Sequence, residues 1–138
     1  VTPDAAKARW GTSKDSLSNQ ATGNTTTYTF GLYTSPFLSF VEMTGLEVGR
    51  KEYFYQVLGK GGVWSDVYSF HSHPGVGKDI PLVMVNLGDW GQTNYSEGVM
   101  EHILSLDPKP DMILCNGDLS YADYDQIRWD SWGEMVQP

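Results

Sequence analysis

Short segments with alternating apolar and polar residues fill the first half of the chain. They are TTTYTFGL at 25–32, FLSFVEM at 37–43, LEVGRKEYFYQVLGKGG at 46–62 and WSDVYSFH at 64–71. Alternation with a period of two predicts strands that bury one face. Turn residues such as Ser35-Pro36 separate the segments. Short strands between frequent turns are typical of an antiparallel β-sandwich.

The pattern changes after HPGVGKDI at 73–80, a segment rich in Pro and Gly. PLVMVNLG (81–88) and DMILCNG (111–117) are nearly continuous apolar runs, which predict strands buried on both faces. Between these runs Val99 and Ile103 recur at helical spacing, and DPKP ends the helix. The order strand, helix, strand predicts a βαβ unit with parallel strands. DQIRWDSWGEMV, which follows, predicts a second helix.

The two patterns divide the chain into two predicted domains. Residues 1–74 form a partial sandwich, residues 75–80 a linker, and residues 81–138 the start of an α/β domain. The predicted fold is therefore a β-sandwich followed by the first βαβ unit of an α/β domain.

Composition and charge exclude several classes of protein. Of the 138 residues 40% are hydrophobic and 13% aromatic, which suits a packed globular protein. The net charge is −8 and Lys and Arg form no cluster, so we expect no nucleic-acid partner. No apolar run approaches the roughly 18 residues that span a membrane, so we expect no membrane partner. Asn24 and Asn94 begin glycosylation sequons, a weak indication of secretion.

Each apolar run of the second half ends in Gly-Asp, and these aspartates are the candidate site residues. Asp89 and Asp118 lie 29 positions apart, about the length of one βαβ unit. Both carboxylates are therefore expected at the carboxyl edge of the sheet, where α/β proteins bind ligands. Two neighbouring carboxylates repel each other unless a cation lies between them, which predicts a metal site. Tyr121 follows Asp118 and could add a phenolate ligand for a ferric ion.

Each of these residues also has an ordinary structural role. A Gly-Asp pair at the end of a strand usually caps a helix or forms a turn, and a tyrosine three positions later can pack under the loop.

The longer motifs resemble a known family. GDWG at 88–91, followed by GDLSYAD and RWDSWGEMVQP, resembles the first two of the five metal-binding blocks of the purple acid phosphatases. The region ending in WSDVYSFHSHPG is similar to the fibronectin type III-like N-terminal domain of the large plant and fungal type. The resemblance implies a calcineurin-like metallophosphoesterase domain from residue 81 onwards. It also implies an acid phosphatase that hydrolyses phosphate monoesters and is secreted or vacuolar.

The resemblance assigns a role to each candidate ligand. It implies a binuclear centre of Fe(III) with Zn, Mn or Fe(II). Asp89 would bind the ferric ion, Asp118 would bridge both metals, and Tyr121 would bind the ferric ion as a phenolate. The family's three later blocks, which carry an Asn-His pair and further histidines, have no match in the 138 residues. We therefore expect a fragment of a longer enzyme that is inactive by itself.

Other interpretations remain open or fail on single residues. His71 and His73 imitate the family's last Gly-His-x-His block, but Phe70 stands in place of the glycine. A nucleotide-binding Rossmann unit requires a G-x-G-x-x-G motif after Leu87, and none is present. The main alternative is a non-catalytic binding module with a degenerate phosphatase domain. Sequence leaves the physiological substrate and the oligomeric state undecided.

Overall fold

The chain consists of two compact units. The computed structural model describes residues 5–137, so residues 1–4 and 138 of the predicted domains lie outside the described part. Residues 5–29 and 34–76 form the first unit, and residues 30–33 and 77–137 form the second. The division at residue 77 lies inside the predicted linker. The domain bounds themselves stay a prediction.

Strands predominate in the first part of the chain, and both α-helices follow later. The elements in chain order are β1 (Lys7–Gly11), β2 (Asn19–Thr22), β3 (Asn24–Thr26), β4 (Thr29–Phe30), β5 (Tyr33–Thr34), β6 (Leu38–Phe40), β7 (Glu52–Val57), a short 3₁₀ turn (Lys60–Gly62), β8 (Tyr68–His71), β9 (Met84–Leu87), α1 (Asn94–Ser105), β10 (Met112–Cys115) and α2 (Ile127–Val136).

An antiparallel sheet with the strand order β2-β1-β7-β8 is the main element of the first unit. Trp10 of β1 and Tyr53 of β7 are buried there, each only 4% exposed. The Tyr53 hydroxyl accepts a hydrogen bond from the backbone N–H of Glu47 at 3.0 Å. Such a tyrosine-to-upstream-backbone bond is a tyrosine corner, a feature of immunoglobulin-like sandwiches. With the separate β3–β6 pair, this mostly-strand unit is consistent with the predicted β-sandwich.

The prediction of one strand over residues 25–32 is wrong. The segment turns back on itself, and β4 pairs with β5 in a separate two-stranded sheet. Gly31 has φ +58°, a conformation that glycine adopts without steric cost and that reverses the chain. Leu32 is consequently fully exposed in the turn rather than on a buried face with Tyr28 and Phe30.

A strand, a helix and a strand open the second unit. β10 pairs with β9 in parallel, from Met84 opposite Met112 to Leu87 opposite Cys115. The helix α1 lies between the two strands in sequence. Thr93 caps it, because the Thr93 hydroxyl accepts from Ser96 N while Ser96 Oγ accepts from Thr93 N.

The prediction that β9 and β10 are buried on both faces is wrong for the described part of the chain. Met84, Met112 and Leu114 share one face of the sheet and are each 44–48% exposed. Val85 and Ile113 on the other face are half-buried. Apolar runs indicate strands that are covered on both sides only when a second layer is present, and residues 5–137 leave this face open.

No helix within residues 5–137 combines the length and the apolar character needed to cross a bilayer.

Candidate functional site

Backbone hydrogen bonds join the two parallel strands and continue past their carboxyl ends. Asn116 N donates to Leu87 O at 2.8 Å, and Asp89 N donates to Gly117 O at 3.3 Å. Further along, Gly91 N donates to Leu119 O at 2.8 Å. The loop after β9 and the loop after β10 therefore run side by side, which places Asp89 and Asp118 at one edge of the sheet.

The three predicted ligands meet at the phenol of Tyr121. Its hydroxyl donates a hydrogen bond to Asp89 Oδ1, and Asp118 Oδ2 lies 3.4 Å from the same oxygen. A phenol carries one proton, so it donates fully to only one acceptor at a time, here Asp89. All three side chains are solvent-accessible, and Tyr121 is 43% exposed. The structure thus brings two carboxylates and one phenol within reach of a single ligand.

The backbone at all three positions adopts the left-handed conformation. The φ angles are +52° at Asp89, +50° at Asp118 and +50° at Tyr121. Aspartate tolerates this conformation better than most residues, but a tyrosine there is uncommon. Residues held in sparsely populated regions cost on the order of 1–3 kcal/mol each and concentrate at functional sites. With these backbone angles the three side chains meet at the edge of the sheet.

Its neighbours hold the Tyr121 phenol in the protonated form. The hydrogen bond to Asp89, partial desolvation and the negative charge of Asp118 raise the pKa of Tyr121 from 10.0 to about 12. The donated proton stabilises the neutral phenol, and both carboxylates disfavour a phenolate beside them. A cation bound here would reverse this balance, because it would attract all three oxygens and release the proton.

We expect Asp89→Asn to lower the pKa of Tyr121 towards 10 in the metal-free protein, since the charged acceptor is lost. Because folding raises this pKa, the protonated phenol of Tyr121 stabilises the folded state. This contribution is fully present below pH 10 and is lost as the pH rises through about 12. A titration that follows phenolate absorbance against pH measures the pKa of Tyr121. The titration curve of Tyr121→Phe is subtracted to isolate this one phenol. Asp125→Asn, an exposed carboxylate of the same loop, is the control. An unchanged titration in Asp89→Asn would show that the hydrogen bond is not the cause.

A recess of about 550 Å³ adjoins Asp118 and Tyr121 within the second unit. Its walls combine aromatic and polar side chains, among them Phe30, Ser120, Tyr124 and Trp129. The recess is open to solvent and offers room beside the carboxylates for an organic group.

Two site residues escaped prediction from sequence. Gln92 Nε2 donates to Ser120 O at 2.7 Å, and Arg128 Nη1 donates to Tyr121 O at 2.7 Å. Gln92 directly follows the motif GDWG, and Arg128 begins the motif RWDSWG. Their position beside the candidate ligands could have marked them as site residues. Their side chains act on backbone carbonyls, and sequence does not show such contacts.

The histidines and the sequon asparagines are the remaining residues that the sequence singled out. His71 and His73 are exposed and belong to the first unit, where His73 Nδ1 accepts from Gly75 N at 3.0 Å. His102 is exposed on α1. Asn24 and Asn94 are both exposed.

The donor chemistry at the edge fits one hard cation. Two carboxylates and a phenol are oxygen donors of the kind that a ferric ion accepts. Within residues 5–137, however, no group of three or more His, Cys, Asp or Glu side chains could hold a metal ion. The described residues therefore supply part of a ligand set rather than a closed site.

Known proteins with similar sequences carry names of one kind. The family described as "Purple acid Phosphatase, N-terminal domain" matches residues 1–72. The phosphoenolpyruvate phosphatase of Allium cepa is 36% identical over 99% of this chain, which covers 28% of that protein. The Fe(3+)-Zn(2+) purple acid phosphatase 12 of Arabidopsis thaliana is 33% identical over 99% of the chain and 29% of its own length.

The chain thus spans less than a third of the length of these two relatives, at their N-terminal part. The family match covers more than half of the chain, and the similarity to the two relatives runs through the loops that carry Asp89, Asp118 and Tyr121. The chain belongs to the purple acid phosphatase family.

Proposed function

We propose that the complete protein, of which this chain forms a part, is an acid phosphatase that hydrolyses phosphate monoesters. The observation that carries this proposal is the meeting of Asp89, Asp118 and the Tyr121 phenol at the ends of two parallel strands. In this proposal residues 1–74 are a fibronectin type III-like domain. Residues 81–138 begin a calcineurin-like metallophosphoesterase domain.

We infer a binuclear centre of Fe(III) with Zn, Mn or Fe(II) as the cofactor, to which this chain contributes oxygen ligands. Asp89 and Tyr121 would hold the ferric ion and Asp118 would lie between the two metals. The name of the Arabidopsis relative, an Fe(3+)-Zn(2+) phosphatase, supports this composition. When bound, such a centre activates water and neutralises charge on phosphate oxygens.

The residues of this chain would prepare the site in two ways. Tyr121 would lose its proton to solvent on becoming a ligand, because Asp89, its hydrogen-bond partner, would hold the same ion through its carboxylate. Asp118 keeps an exposed carboxylate facing the open edge, where a substrate phosphate can arrive.

The net charge of −8 repels phosphate, so attraction of the substrate must come from the bound cations. The recess beside Tyr121 would accommodate the organic part of a monoester.

We also propose that the protein is secreted or vacuolar and carries N-linked glycans. Both sequon asparagines are exposed, so glycans attached to them would extend into solvent from the folded chain. Expression through a eukaryotic secretory route should give a protein whose gel mobility rises after glycosidase treatment. The double variant Asn24→Gln, Asn94→Gln should lose the share of this mobility change that comes from glycans at the two sites. An unaltered shift in the double variant would exclude glycans at these two sites.

The test of the proposed function uses the complete protein. We expect iron and a second metal in elemental analysis, turnover of a chromogenic phosphate monoester, and a visible ferric–phenolate absorption band. Tyr121→Phe should remove the band while the circular dichroism of the strands is kept. Absence of both metal and turnover in the wild-type protein would favour the alternative, a binding module with a degenerate phosphatase domain.

A further inference from the structure

The loop after β10 has several residues in the left-handed region of backbone conformation. Within residues 117–124, four non-glycine residues have φ between +48° and +71°, namely Asp118, Tyr121, Asp123 and Tyr124. Each such residue costs free energy relative to an ordinary conformation, most of all the two tyrosines. Strained residues persist only where surrounding contacts hold them. The contacts that hold this loop therefore decide where the Tyr121 phenol points.

Three successive carbonyls of the loop are each held by a different donor. Leu119 O accepts from Gly91 N at 2.8 Å. Ser120 O accepts from Gln92 Nε2 at 2.7 Å, and Tyr121 O accepts from Arg128 Nη1 at 2.7 Å. The first donor is backbone, whereas the other two are side chains that substitution can remove. The loop is thus fixed through its carbonyls and leaves its side chains free to face the site.

Gln92 is the residue that links the separate parts. Its Nε2 also donates to Arg128 O at 2.9 Å, and its Oε1 accepts from Ser131 Oγ at 2.5 Å. Both amide hydrogens and the amide oxygen are therefore engaged, on a half-buried side chain. One side chain from the loop after β9 joins the loop after β10 to α2.

We propose that Gln92, assisted by Arg128, is a positioning residue that sets the Tyr121 phenol against Asp89. The positioning itself is a property of the metal-free protein. Only its consequence, a correctly spaced set of oxygen donors for a ferric ion, rests on the proposed function. A residue that merely anchored α2 would stabilise the helix without changing the geometry at Tyr121.

The test compares Gln92→Met with Gln56→Met in the complete protein. Methionine keeps the length of the side chain and removes the hydrogen bonds. Gln56 is the matched control, since it also bridges partners, accepting from Arg9 Nη2 at 2.6 Å and donating to Ser65 O at 2.5 Å, but in the first unit. Hydrogen exchange of the metal-free protein reports on the loop. Loss of the three hydrogen bonds of Gln92 should speed exchange of residues 117–124 by about tenfold or more in Gln92→Met only.

A second readout comes from the iron-loaded protein. Gln92→Met should shift and weaken the ferric–phenolate band, because the angle and distance of the phenolate change, whereas Gln56→Met should leave it unaltered. Exchange and band both equal to wild type in Gln92→Met would overturn the proposal. Acceleration of exchange in α2 alone, with the band unchanged, would reduce Gln92 to a helix anchor and would also overturn it.

Two milder variants keep the test decisive if Gln92→Met does not fold. Arg128→Met removes the bond to Tyr121 O and the 3.9 Å ion pair with Asp123. Ser131→Ala removes the bond to Gln92 Oε1 and a weaker 3.4 Å bond to Arg128 O. We expect both variants to speed exchange of residues 117–124, Arg128→Met more than Ser131→Ala, and wild-type exchange of this loop in both variants would refute the proposal. Absence of iron from the complete wild-type protein would contradict the proposed function. The exchange result would still decide the role of Gln92.

Discussion

Asp118→Asn is expected to lower the phosphatase kcat of the complete protein by more than about 100-fold. Loss of an outer-shell partner of a metal typically costs about 10–100-fold in affinity or activity, and a carboxylate that touches both metals should cost more. Asparagine keeps the size and one oxygen of aspartate but removes the negative charge that would hold two cations together. Turnover of a chromogenic phosphate monoester, measured with the metal content of each preparation, gives the answer.

Asp125→Asn is the matched control for this variant. It makes the same chemical change seven positions further along, on an exposed carboxylate whose backbone N–H already bonds Ala122 O at 2.7 Å. We expect wild-type turnover and metal content from it. If Asp118→Asn retained both as well, Asp118 would be a turn residue and the assignment of a bridging ligand would be wrong.

The 138-residue chain by itself is expected to hydrolyse phosphate esters no faster than background. Its described residues bring together two carboxylates and a phenol, and no imidazole accompanies them to hold a second metal or to protonate a leaving group. Metal affinity depends on the number of ligands and on their preset geometry, so this partial set should bind weakly. The exposed face of the β9–β10 sheet also favours aggregation over a stable fold.

The measurement adds ferric salt with zinc or manganese salt to the purified chain and follows release of the chromophore. Asp118→Asn in the same chain is the control, because it distinguishes site-directed turnover from contamination. Metal-dependent turnover in the wild-type chain that disappears in Asp118→Asn would contradict the expectation and show that two motifs suffice.

Sequence predicted the placement of the candidate ligands because it depends on simple periodicities. An apolar run ends where its strand ends, so the two runs alone assign Asp89 and Asp118 to one edge of the sheet. The periodicities did not predict the contact of Tyr121 with both carboxylates, since the role of Tyr121 was implied by the resemblance of the motif GDLSYAD. The helix α1 was predicted for a similar reason, since Val99 and Ile103 follow one another at helical spacing. In the structure Ile103 is buried.

The features that sequence did not predict depend on contacts between distant residues or on a single torsion angle. The apolar residues of 25–32 alternate with a period of two, yet the chain reverses its direction at Gly31. The role of Gln92 requires two carbonyls from residues 28 and 36 positions away. Whether an apolar strand is covered on one face or on both depends on a layer that its own residues do not encode. The roles of Asp89, Asp118 and Tyr121 as metal ligands stay predictions.

The open face of the β9–β10 sheet has a chemical consequence as well as a physical one. Two of its residues, Met84 and Met112, are paired in register and about half exposed, so both thioethers are accessible to oxidants. Conversion to the sulfoxide makes a flexible apolar side chain polar, and a face altered in this way would no longer accept an apolar layer. The oxidation state of these methionines, read by mass spectrometry after brief peroxide treatment, would therefore report directly whether this face is covered in the complete protein.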